Sequence, residues 1–103
     1  MTKEEIRAIL KMDNIKVTKV DNGYGVKPSY NYTCERYSSK PRTITLDQDN
    51  HYGIKVFMLS INDTPITNVW GKTLYWETKE DAVSDIIAMF NNQMPSRSYT
   101  MVI

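Results

Sequence analysis

Few residues of this chain suit covalent or metal chemistry. Of its 103 residues, one is a cysteine, Cys34, and one is a histidine, His51. A lone cysteine excludes an intrachain disulfide and points to a reducing compartment. One cysteine and one histidine cannot assemble the usual zinc-ligand sets. Glycine is scarce at four residues, all at turns or strand starts, so no phosphate-cradling glycine motif exists. Apolar runs such as Val56 to Leu59 are far too short to span a bilayer. The opening Met1-Thr2-Lys3-Glu4-Glu5 leads into no apolar signal segment. These absences set the expectation of a soluble cytoplasmic protein with no cofactor and no membrane partner.

Catalytic patterns are missing too. Nothing in the spacing places Cys34 near His51, and no nucleophile-elbow motif is present. Asp47-x-Asp49-x-His51 has the outline of a calcium loop, but Tyr52 stands where glycine is required and Met58 where the bidentate glutamate belongs. Carboxylates are scattered, with no spacing that selects a general acid and base. The expectation is a protein that is not an enzyme.

What the chain does have is a segregated charge. Its net charge is only +1. From 16 to 42, the bases Lys16, Lys19, Lys27, Arg36, Lys40 and Arg42 face only Asp21 and Glu35 (six minus two, +4). Tyr24, Tyr30, Tyr32 and Tyr37 are threaded through them. From 43 onward, four bases face seven acids (four minus seven, −3). Such a chain offers partners two electrostatically different surfaces. Asn, Lys, Tyr and Ile are plentiful while Ala and Gly are sparse, a bias that suits an AT-rich genome such as many bacteria and their phages have.

Hydrophobic content of 41% and charged content of 24% are ordinary for one folded domain, 1–103. Thr2 and Glu5 form a capping box, Met1 can staple onto Ile6, and Ile6, Ile9 and Leu10 make a helical stripe ended by Asp13-Asn14. Ile15 to Val20 reads as a strand, and Asn22-Gly23 as a type I′ turn leading to a second strand. Pro28 pushes that strand to a sheet edge. Residues 31–42 hold almost no aliphatic side chain and read as an exposed loop. Thr43 to Leu46 reads as a short strand and Asp47 to His51 as a turn. Gly53 to Ile61 is apolar at both parities, as a strand covered on both faces would be. A second hairpin, Ile66 to Trp76, turns at Gly71-Lys72. Thr78 caps a helix whose stripe is Ala82, Val83, Ile86, Ile87 and Phe90. A last short strand would run from Tyr99 to Ile103.

The pattern predicts an α+β fold: a mostly antiparallel sheet of about five strands with two helices packed on one face. Two helices cannot cover both faces, so an aromatic sheet face is expected to remain open for a partner or a second copy, as a homodimer. The partner-binding candidates are Trp70, Tyr75 and Phe57, joined by Tyr32, Arg36, Tyr37, Lys40 and Arg42 of the loop. The expected function is a small non-enzymatic binding protein that modulates a protein target, in its most concrete form a phage- or mobile-element-encoded inhibitor of a host system. The alternative is binding of RNA or single-stranded DNA through Lys16, Lys27, Arg36, Tyr37, Lys40 and Arg42, with tyrosines as stacking faces.

Overall fold

A computed structural model describes residues 2–35 and 42–101. Helix α1 (Lys3–Met12) is followed by strands β1 (Ile15–Val20), β2 (Ser29–Cys34), β3 (Arg42–His51), β4 (Ile54–Ile61) and β5 (Thr64–Pro65), then helix α2 (Lys79–Phe90). The fold is α+β. The strands form one antiparallel sheet in the order β1-β2-β3-β4-β5, each strand beside its neighbour in sequence. Among the described residues, no helix is long and apolar enough to cross a membrane.

Both helices begin where their caps dictate. Thr2 Oγ1 accepts the Glu5 N–H at 3.1 Å, and Thr78 Oγ1 accepts the Asp81 N–H at 3.1 Å. Asn14, at φ +54°, takes the left-handed turn that ends α1. The helices touch each other, α1 resting on β1 and α2 on β3 and β4. Between them and the sheet lies a core of Ile6, Ile44, Leu46, Leu59, Ile86 and Phe90, with Trp76 at its edge strand. Enclosing each large side chain contributes roughly 1.5–3 kcal/mol.

Several expected boundaries are corrected. Asn22-Gly23 is not a two-residue turn: β1 and β2 are joined by an eight-residue loop, 21–28, with Val20 opposite Ser29. Side chains close that loop. Asp21 accepts the Gly23 N–H at 3.0 Å, and Asn22 Nδ2 donates to the Lys27 carbonyl at 2.9 Å and to Ser29 Oγ at 2.8 Å. The longer loop keeps Pro28 out of the ladder and moves Tyr30, Tyr32 and Cys34 opposite Lys19, Val17 and Ile15.

The exposed loop expected over 31–42 is therefore a strand to Cys34, and Tyr32 is a core residue, 3% exposed. Arg36, Tyr37 and Lys40 lie outside the described residues. Likewise β3 runs through the turn expected at Asp47–His51. The reversal comes at Tyr52-Gly53, both at positive φ (+53° and +79°), between the paired residues His51 and Ile54. Of the last expected strand, Tyr99 pairs with Tyr75 through an isolated bridge, and 102–103 lie outside the described residues.

The largest correction concerns the open sheet face. Residues opposite one another share a face, so Tyr30, Tyr32, Ile44, Leu46, Phe57 and Leu59 all lie under the helices. Along β2 and β3 the other face is polar. Thr33 and Thr43 share a hydroxyl hydrogen bond of 3.0 Å, Thr45 Oγ1 donates to Asn31 Oδ1 at 2.7 Å, and Ser29 Oγ donates to Asp47 Oδ1. These directly opposite pairs satisfy each other and leave no greasy surface there. Only on β4 is that face apolar, with Val56 fully buried.

Candidate functional site

The exposed aromatic surface lies beyond β4, built by the hairpin that follows β5. Thr67 bridges Thr73 and Asn68 pairs with Lys72, so the turn is the three residues Val69-Trp70-Gly71 rather than the pair Gly71-Lys72. Asn68 organises it. Its Oδ1 accepts the N–H groups of Trp70 (2.9 Å) and Lys72 (3.0 Å), its carbonyl accepts the Gly71 N–H (3.0 Å), and its N–H donates to the Lys72 carbonyl (2.8 Å). Gly71 takes φ +80°, a conformation in which a side chain would be strained. The result is a fixed tip with Trp70 83% and Val69 81% exposed.

Next to this hairpin a shallow cavity of about 480 Å³ is lined by His51, Tyr52, Lys72, Thr73, Tyr75 and Met101, among others. The His51 and Tyr75 rings meet edge to face at 5.5 Å, and Tyr75 lies 6.1 Å from Tyr99. Burial, then the charge of Glu77 and the neighbouring Tyr75, push the Tyr99 phenol above its ordinary pKa. His51 Nε2 is 3.2 Å from Asp49 Oδ2. This end of the molecule carries phenol, indole and imidazole groups suited to packing and hydrogen bonding.

The residues expected to bind a partner are scattered. Trp70 is at the hairpin tip, Tyr75 is half-buried beside His51, and Phe57 lies on the helix side of β4 under Lys55. Trp76, by contrast, is fully enclosed and pairs its backbone with Phe57. Of the basic residues, Lys16 is 3.2 Å from Glu35. Arg42 donates to the Met89 carbonyl at 2.9 Å and sits over the Phe90 ring, closing the last turn of α2. Lys27 lines a separate cavity of about 450 Å³ at the start of α2, where Lys79 lies 4.2 Å above the Tyr30 ring. Glu77 and Glu80 share that cavity with the lysines, so its charge is mixed.

Cys34 is buried with its thiol 3.8 Å from the Asp13 carbonyl, on the helix side of the sheet, while His51 faces the other side. The two cannot form a nucleophile–base pair in this geometry. Among the described residues no group of three or more His, Cys, Asp or Glu could hold a metal ion. Sequence reasoning missed Tyr52 and Val69 as exposed apolar groups, 85% and 81% exposed. The Tyr52-Gly53 pair between two strands was the available signal, because a two-residue reversal puts its first side chain at a tip. Comparison with known proteins finds no match to this chain among family models, curated proteins or solved structures.

Proposed function

We propose that this chain is a small non-enzymatic binding protein that modulates a protein target, with Trp70 as its principal contact. The observation that carries the reading is an indole left 83% exposed on a tip held by four backbone hydrogen bonds to Asn68 or its side chain. A large aromatic group held in one position loses little entropy on docking, and tryptophan is the residue type most enriched among interface hot spots. Val69 beside it on the tip, and the cavity that Tyr52 and Tyr75 line next to Lys72 and Thr73 of the same hairpin, supply further contact surface.

An inhibitor of a host system, carried by a phage or mobile element, is the most concrete form of this reading and rests on composition alone. The reading as RNA or single-stranded DNA binder has less support, since Tyr32 is buried and Arg42 is engaged with α2. The test is affinity capture from nuclease-treated bacterial lysate with wild type and Trp70→Ala, both first shown to be folded. A protein retained by wild type and lost with the variant supports the proposal. Equal capture by both refutes Trp70 as the contact.

A further inference from the structure

We propose a second docking surface on the opposite edge of the sheet, where β1 and α1 accept an extended acidic segment of a partner protein by strand addition. The far edge of β4 is closed by β5, by the Ile66 N–H bond to the Leu59 carbonyl, and by Trp76 pairing with Phe57. Among the described residues, β1 has only β2 as a neighbour. The Glu35 N–H donates to the Asn14 carbonyl. In an antiparallel ladder this fixes which residues bond inward: 16, 18 and 20 face β2, while Val17 and Lys19 turn their N–H and C=O groups outward. That is a free backbone template, the feature strand-adding peptides use.

The same edge carries a binding groove. A cavity of about 350 Å³ lies between α1 and β1, with Ile6, Leu10, Val17 and Val83 as apolar lining and Lys3 and Arg7 on α1. Val17 is 46% exposed there. Lys3, Arg7 and Lys19 have no counter-ion among the described residues, and Glu80 is the one acid lining the groove. An added strand places alternate side chains into this groove and its remaining ones beside Lys16 and Thr18 on the open face.

Charge decides the occupant. A second copy paired through β1 would bring Lys3, Arg7, Lys16 and Lys19 of both chains together, which repels. A polynucleotide would satisfy those bases and leave the apolar lining and the outward carbonyls unpaired. A segment alternating acidic and apolar residues satisfies all three features.

The probe is the capped peptide Glu-Val-Asp-Val-Asp-Val-Glu, compared with the same peptide carrying lysine at every acidic position and with a uridylate decamer. Amide exchange and chemical shifts of the whole protein are read by NMR. Slowed exchange at Val17 and Lys19 with the acidic peptide alone supports the proposal. Val17→Pro removes an outward donor while sparing the β2 ladder and should weaken the peptide about tenfold or more. The exposed double variant Arg7→Glu with Lys19→Glu should weaken it about as much, whether or not the proline variant folds. Unchanged exchange at Val17 and Lys19, equal binding of the lysine peptide, stronger shifts with uridylate, or a dimer sedimenting through β1 would each overturn it.

Discussion

Trp76 donates its indole N–H to Asp85 Oδ2 at 2.7 Å, and both side chains are completely enclosed. The same carboxylate accepts the backbone N–H groups of Ser96 (3.1 Å) and Arg97 (2.9 Å), and the Arg97 guanidinium is 3.8 Å away. One buried acid thus ties the edge of the sheet, helix α2 and the segment after α2 together. With every donor aimed at it, the charge is compensated, which is the condition under which a carboxylate can be enclosed.

Replacing Asp85 by alanine strands the buried Trp76 indole N–H and takes the acceptor from the part-buried N–H groups of Ser96 and Arg97. Asp85→Ala is expected to cost about 1–3 kcal/mol of stability. Asp85→Asn should recover part of the loss, because one amide oxygen can still accept. Urea unfolding of the three proteins measures this, and a loss below about 1 kcal/mol for the alanine variant would contradict the role assigned to Asp85.

Tyr32 makes stability pH-dependent at the alkaline end. Burial, with a smaller contribution from Tyr30, pushes its phenol from 10.0 up to about 12. The folded state therefore holds the proton more tightly than the unfolded chain. The stabilisation is complete below pH 10 and is lost as pH rises from about 10 to about 12, a total of roughly 2–3 kcal/mol. Tyr32→Phe should change little near neutrality and should flatten that part of the profile. Denaturation midpoints across the alkaline range, compared between the two proteins, check the difference.

The β3–β4 reversal stores a small strain that one substitution should relieve. Tyr52 is held at φ +53°, where a bulky residue is disfavoured and asparagine is preferred. With the ring 85% exposed, little packing is lost on replacement. Tyr52→Asn should raise stability by about 0.5–1 kcal/mol, read as a higher melting temperature.

Much of this architecture was legible where apolar residues were aliphatic and periodic. The stripe of α2 from Ala82 to Phe90 and the dense run of β4 are both buried where expected. Residues 31–34 of β2 read as loop because the buried Tyr32 and Cys34 alternate with Asn31 and Thr33 and none is aliphatic. That alternation is a strand signal once tyrosine and cysteine are counted as apolar. The open face differs for a related reason: both parities of β4 are apolar, but β3 and, beyond it, β2 turn Ser, Asn and Thr outward in matched pairs. Alternation alone does not say which tryptophan is enclosed, because the turn spans Val69-Trp70-Gly71 and lifts Trp70 onto a tip.

The central claim is that binding runs through the Trp70 hairpin rather than through the basic segment. The decisive measurement is the affinity of the purified captured protein for wild type, Trp70→Ala, and a double variant Lys16→Ala with Lys27→Ala. A hot-spot indole predicts a loss of about 30-fold or more for Trp70→Ala, a change within about threefold for the lysine variant, and weak salt dependence. Full affinity with Trp70→Ala, or a collapse with the lysine variant, would contradict the account.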